Sequence, residues 1–188
     1  MARPGLSSPT HDIDRLARDI LAVVRVVPDF PAPGIGFQDL CPVLARPALL
    51  TGIADAVAAR FAGACDAVLA VEARGFVYGA AIAGAAGLPL VLARKPGKLP
   101  GPVDGVDYAL EYGRARLEIQ RDAFAPGTRI LLVDDVLATG GTLRAATELV
   151  HNRQGVPVGC AVVMTIAGLG GPDRLAPAEL FSIVTVGA

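Results

Sequence analysis

The chain has 188 residues, 53% hydrophobic and 19% charged, and its 17 basic and 18 acidic residues leave a formal net charge of −1. Such a chain is one domain with a sizeable core, and the apolar fraction excludes disorder over most of its length. The even charge argues against a general nucleic-acid binder, which needs a basic excess to displace counterions, but leaves room for a compact pocket that takes a small anion.

Residues 1–11 contain Pro, Ser and Gly and are expected to be a disordered start, without the basic-then-apolar pattern of a signal peptide. A single domain is expected over 12–188, in a cytoplasmic protein. Ile13, Leu16, Ala17, Ile20, Leu21 and Val24 recur at helical spacing, with Thr10 or Asp12 as N-cap. Three prolines between Val27 and Pro33 impose an extended stretch. A second helix is predicted over Pro47–Phe61, with Pro47 in its first turn. Apolar runs rich in Val, Ile and Leu follow at Ala67–Val71, Pro89–Ala93, Ile130–Val133, Val158–Met164 and Phe181–Val186. They lack strict alternation, as parallel strands covered on both faces do. Helical patterns at Phe76–Ala86 and Gly141–Arg153 lie between them. The fold class is therefore α/β: an open, mainly parallel central sheet flanked by helices. Gly75–Ala93 carries no charge, but its glycines and Pro89 mark a buried helix and strand and not a membrane span. Lys98–Tyr108 is Gly/Pro-rich and polar, which predicts a mobile loop or flap.

Ligands of open parallel sheets bind beyond the carboxyl ends of the strands. Three such ends gather the charge that is scarce elsewhere: Glu72-Ala73-Arg74-Gly75, Arg94-Lys95-Pro96-Gly97-Lys98, and Asp134-Asp135-Val136-Leu137-Ala138-Thr139-Gly140-Gly141-Thr142. Solvated loop charge explains any one of them, but explains all three less well. Taken singly, Arg74 could pair with Glu72, and Phe37 could be a core aromatic. In the third segment a Gly-rich turn opens a helix, so free backbone N–H groups and the hydroxyls of Thr139 and Thr142 suit a phosphate monoester. Asp134 and Asp135 would repel that phosphate, but they could accept hydrogen bonds from sugar hydroxyls beside it. The ligand implied is a sugar phosphate. Known nucleotide loops fit worse: Gly34-Ile35-Gly36 is followed by Asp39 where G-x-G-x-x-G needs glycine, and no G-x-x-x-x-G-K-[ST] occurs. The odd count of three cysteines (Cys41, Cys65, Cys160) and the two histidines build neither a disulfide framework, a zinc site nor a His-based triad.

Val133–Thr142 resembles the phosphoribosyl diphosphate (PRPP) signature of type I phosphoribosyltransferases. Four further segments are similar to the adenine branch of that family: Pro28-Asp29-Phe30-Pro31-Ala32-Pro33-Gly34, Glu72-Ala73-Arg74-Gly75-Phe76, Arg94-Lys95-Pro96-Gly97-Lys98-Leu99-Pro100-Gly101, and Leu110-Glu111-Tyr112-Gly113. The resemblance runs from about Asp12 to Leu175. It implies that adenine and PRPP give AMP and pyrophosphate with Mg²⁺, the metal held mainly by substrate and water. By the same resemblance, Ala138, Thr139, Gly140, Gly141 and Thr142 hold the 5′-phosphate, and Asp134 and Asp135 the ribose. Glu72, Ala73, Arg74 and Lys95 meet the pyrophosphate. Ile35, Gly36, Phe37 and Val136 meet the base, in a hood formed by residues 12–45. Glu111 is the implied general acid/base, with Arg74 as its catalytic companion. Lys98, Tyr108 and Tyr112 belong to a flap over residues 97–112. A homodimer without nucleic-acid or membrane partners is implied as well. Two residues depart from the family's pattern: Gln38 stands where Lys or Arg is usual, and Asp107 where Ser is frequent. Two alternatives stay open at this point, a phosphoribosyltransferase for a 6-oxopurine (xanthine or guanine) and a non-catalytic module that senses PRPP or nucleotide.

Overall fold

The computed structural model describes residues 9–109 and 114–188. The chain opens with α1 (Pro9–Leu21), the short strands β1 (Arg25–Val27) and β2 (Phe37–Asp39), then α2 (Cys41–Leu44) and α3 (Pro47–Arg60). Alternation follows with β3 (Ala67–Val71), α4 (Gly75–Ala86) and β4 (Leu90–Ala93). After β5 (Val103–Ala109) and β6 (Arg114–Gln120) come β7 (Arg129–Leu137), α5 (Gly141–Asn152), β8 (Val156–Ile166), α6 (Gly171–Leu175) and β9 (Leu180–Val186). Five strands form a parallel sheet in the order β4-β3-β7-β8-β9.

Alternate side chains on these strands serve two cores, because successive residues point to opposite faces. Val68, Leu131, Val133, Ala161 and Val163 pack with Ile20 of α1, Ile53 and Val57 of α3, and Ile82 of α4. Leu69, Leu132, Cys160 and Val162 pack on the other face with Leu143, Ala146 and Leu149 of α5. Strands covered on both faces carry no polar alternation, which explains the uninterrupted apolar runs. Helix α4 lies so close to β3 that a Cβ at Gly79 would come within 2.4 Å of the Ala70 Cβ. Among the described residues no helix is long and apolar enough to cross a membrane.

Three expectations need correction. Residues 103–109, expected within a mobile flap, are β5, which pairs with β6 in antiparallel register from Val103↔Gln120 to Ala109↔Arg114. Burial overrides the local Gly/Pro chemistry there: Val106, Leu117 and Ile119 join the α5 core. The implied flap residues Glu111 and Tyr112 lie outside the described residues. Strand β7 does not stop before the carboxylates but continues to Leu137, so Asp134 and Asp135 are strand residues. Helix α1 reaches back to Pro9, so Thr10 and Asp12 lie inside it instead of capping it.

The strand order reverses between β3 and β7. From β3 the chain goes outward to the edge strand β4, then returns to the other side of β3 as β7. The carboxyl ends of β3 and β7 therefore open a crevice at the switch point, where open α/β sheets hold ligands.

Candidate active site

A cleft of about 1200 Å³ occupies that crevice. Its floor is the end of β7 and the turn into α5. Gly140 caps α5 with φ +79° and no side-chain capping bond, which leaves the first N–H groups of a 12-residue helix free for an anion. Behind the turn, α6 packs backbone on backbone. A Cβ at Gly171 would stand 2.2 Å from the Ala138 carbonyl oxygen, and one at Gly140 would stand 2.9 Å from the Gly171 oxygen. Glycine at both positions lets α6 hold the turn in place.

Asp134 and Asp135 both line the cleft but are not an equivalent pair. Asp135 is buried and forms an ion pair with the Nε of Arg74, which sits at the head of α4. Asp134 accepts the backbone N–H of Asp135 at 2.9 Å. Burial, and then the neighbouring Asp135 charge, push the Asp134 carboxyl well above the usual carboxylate range. Burial opposes the charge on Arg74, but the hydrogen bond to Asp135 and the field of both carboxylates outweigh it and raise its pKa. The Arg74 partner is thus Asp135 and not Glu72.

Glu72 faces the loop after β4 instead. Its Oε2 accepts the Nε of Arg94 at 3.1 Å and the backbone N–H of Lys95 at 3.0 Å. Burial resists the Glu72 charge, yet these two donors hold its pKa below the ordinary value. Glu72 therefore shapes the loop that presents Lys95. Both residues line the cleft, together with Ala73 and Pro96.

The hood folds on its own local bonds. The Asp29 Oδ1 accepts the Gly34 N–H at 2.7 Å, Phe30 N–H reaches the Ile35 carbonyl at 3.2 Å, and Ile35 N–H reaches that of Ala32 at 3.2 Å. This loop delivers Ile35, Gly36 and Phe37 to the cleft, which Val136 also lines. Phe37 meets Phe30 edge to face, with centroids 5.0 Å apart, and the Arg74 guanidinium lies 5.2 Å over its ring. The open part of that aromatic surface suits a flat heterocycle. Behind it, Arg25 binds the buried Asp39 and braces the short β1–β2 pair.

Most residues singled out from the sequence meet at this cleft: Ile35, Gly36, Phe37, Glu72, Ala73, Arg74, Lys95, Tyr108, Asp134, Asp135, Val136, Ala138 and Thr142. Thr139, Gly140 and Gly141 form the turn itself. Lys98 does not line the cleft; its carbonyl accepts the Nη1 of Arg94 at 3.0 Å. Sequence reasoning missed Arg116, Leu117, Ile166 and Leu169 as lining residues. Among these, the polar/apolar alternation of Arg114–Gln120 was the one available signal. Among the described residues, no cluster of three or more His, Cys, Asp or Glu could hold a metal ion.

The cleft lies at the switch point of a parallel sheet, over a glycine-built turn at a helix N-terminus, and a family model, the phosphoribosyl transferase domain, matches residues 43–186. The adenine phosphoribosyltransferase of Clavibacter michiganensis subsp. michiganensis is 50% identical over 180 residues, covering 95% of this chain and 98% of that one. The crystal structure of adenine phosphoribosyltransferase from Thermoanaerobacter pseudethanolicus superposes with a TM-score of 0.87 at 37% identity, covering 90% of this chain and 99% of its own. The enzyme from Saccharomyces cerevisiae, crystallised with an imino-altritol bisphosphate and adenine, gives 0.86 at 34% identity over 90% of this chain and 99% of that one. The chain belongs to the phosphoribosyltransferase family, in its adenine phosphoribosyltransferase branch.

Proposed function

We infer that this chain is a purine salvage enzyme that transfers the phosphoribosyl group of PRPP to adenine, giving AMP and pyrophosphate. The observation that carries this reading is convergence. A phosphate turn with two carboxylates ahead of it, an arginine, a lysine and an aromatic hood come from four separate segments and line one cleft.

The chemistry follows from the order of these groups. The turn 138–142 takes the 5′-phosphate on helix N–H groups and threonine hydroxyls. Asp134 and Asp135 accept from the ribose hydroxyls and fix the sugar between phosphate and leaving group. Breaking the C1′–oxygen bond builds positive charge on the sugar and negative charge on pyrophosphate. Arg74 and Lys95, already oriented by Asp135 and Glu72, stabilise the negative charge without reorganising. Adenine lies between Phe37 and Val136, with Ile35 and Gly36 offering main-chain groups to its edge. Glu111 takes the proton that the purine ring loses as the glycosidic bond forms, and Tyr108 of β5, with Tyr112 in the segment that follows it, keeps water from the activated sugar.

Mg²⁺ fits this site as a substrate-borne ion, since the described carboxylates form no cage and Mg²⁺ favours phosphate oxygens and water. When bound, it neutralises pyrophosphate charge. Three free cysteines, Cys41 exposed among them, suit the reducing cytoplasm. The working form is a homodimer. The reading is tested by following absorbance with PRPP, Mg²⁺ and each purine base in turn. Adenine is expected to react, with 6-oxopurines slower by orders of magnitude. Turnover of xanthine or guanine with adenine inert would overturn it.

A further inference from the structure

The loop that carries Lys95 is held from two sides, and only one of them belongs to the site described above. Glu72 grips the Lys95 N–H at 3.0 Å. Two residues further on, the Gly97 N–H donates to the Oε2 of Glu118 at 3.2 Å. Glu118 lies on β6, is 8% exposed, and is joined to the same loop through its main chain: Arg94 N–H reaches the Glu118 carbonyl at 2.8 Å and Glu118 N–H reaches that of Arg94 at 2.7 Å. A buried carboxylate demands partners for both oxygens. The second is taken by Arg116, whose Nε donates to Oε1 at 3.2 Å.

Arg116 is itself steered. Its Nη1 donates to the Oδ2 of its cross-strand partner Asp107 at 3.2 Å. Its guanidinium lies over Gly105, where a Cβ would come within 2.5 Å of Nη2. The β5–β6 ribbon thus grips the Lys95 loop through the relay Asp107–Arg116–Glu118–Gly97. The same ribbon leads at its far end into the segment with Glu111.

We propose that Glu118 and Arg116 are positioning residues for Lys95. Glu118 sets the turn after it and Arg116 holds the Glu118 carboxylate in place, which ties the pyrophosphate end of the cleft to the ribbon. This deepens the reading of Lys95 as a pyrophosphate contact and rests on it. With Arg116 removed, Glu118 keeps a buried charge with one N–H donor, and it must turn toward water and release Gly97. Lys95 then loses its fixed direction, while the phosphate turn and the hood keep theirs.

The test pairs amide hydrogen exchange with steady-state kinetics on the full chain. Glu118→Gln and Arg116→Ala are expected to speed exchange over residues 94–98 about tenfold, the loss of one charge-assisted hydrogen bond, with α5 unchanged. Glu118→Gln, which lies outside the cleft, should raise KM for PRPP by about the same factor and leave KM for adenine within about twofold. Arg116→Lys, which keeps the charge, should recover most of the loss. Glu118→Gln added to Lys95→Ala should cost nothing further in KM for PRPP. Unaltered exchange over 94–98 in both variants overturns the proposal. So does a parallel rise in KM for adenine, or full additivity with Lys95→Ala, either of which makes the pair a general prop of the fold. Faster exchange combined with a Lys95→Ala variant of normal KM supports the link to the turn and overturns instead the assignment of Lys95 to pyrophosphate.

Discussion

Asp134 and Asp135 are adjacent in sequence yet chemically unlike, and the difference predicts unequal substitutions. Asp135 carries the ion pair that orients Arg74, whereas burial and the neighbouring Asp135 charge raise the pKa of Asp134, which carries no such pair. Asp135→Asn removes a charge-assisted acceptor and frees Arg74, so titration with AMP should show binding weakened by about 1.5–3 kcal/mol. Asp134→Asn leaves the Arg74–Asp135 pair intact and should cost less. Equal losses, or none, would mean that the ribose hydroxyls do not discriminate between the two. Glu111 allows a sharper prediction. Glu111→Leu should lower kcat by roughly 10²–10⁴-fold, the range for lost general acid/base help. Glu111→Gln should follow Leu and not the wild type, with AMP affinity little changed in either. Near-normal turnover of the Gln variant, with chemistry limiting in single-turnover experiments, would make Glu111 a positioning group.

At the scale of elements, two devices hold the sheet around the cleft, and they differ in how openly the sequence announces them. The five parallel strands were legible because residues buried on both faces leave unbroken runs of Val, Ile, Leu and Ala. The β5–β6 ribbon was not. Its Asp104, Gly105 and Asp107 fall in the Gly/Pro-rich polar stretch read as a loop, and only the register shows Asp104 meeting Arg121 and Asp107 meeting Arg116. The roles of Glu72 and Arg74 were half legible. Both belong to the site, but their partners, Arg94 and Asp135, are 22 and 61 residues away and only the fold selects them. The second device lies at the opposite end of the sheet. Asp66, just ahead of β3, accepts the Arg129 backbone N–H at 2.9 Å, its Nε at 3.0 Å and its Nη2 at 2.7 Å, clamping the starts of β3 and β7. These bonds lower the Asp66 pKa from 3.8 to about 2, the Arg129 side chain first and its N–H second. A folded pKa below the unfolded one gives stability that is complete above about pH 4 and disappears as pH falls toward about 2. Asp39, lowered to about 2 chiefly by its hydrogen bond from Arg25, acts in the same window. Thermal melts should therefore drop steeply across that range. Asp66→Asn should melt lower at neutral pH and fall less on acidification; a curve parallel to the wild type would remove the clamp from the account of acid stability.

At the scale of the whole molecule, the β4 edge of the five-stranded sheet carries exposed apolar side chains. Among the exposed large apolar residues, Ile35 and Leu169 line the cleft and Phe30 packs on Phe37, so the ligand site accounts for them. Leu90 and Leu92 of β4 and Val77 of α4 are 36%, 38% and 40% exposed and have no such role. Alternation puts Val91 and Ala93 in the α5-side core and turns Leu90 and Leu92 to the α4 face, where Leu90 approaches Gly79. An edge strand with exposed apolar side chains invites a partner, and a two-fold axis there would set each patch against its copy. Light scattering at micromolar concentration should give twice the mass of one chain. Leu90→Glu with Leu92→Glu should give the single-chain mass, because every introduced carboxylate would meet its own counterpart across the axis. Strand β4 ends directly at Arg94 and the Lys95 turn, so the dissociated variant should also lose affinity for PRPP more than for adenine. A double variant that stays dimeric with unchanged dissociation would place the interface elsewhere, and a wild-type chain that scatters as a monomer would leave the β4 edge without a partner of its own kind.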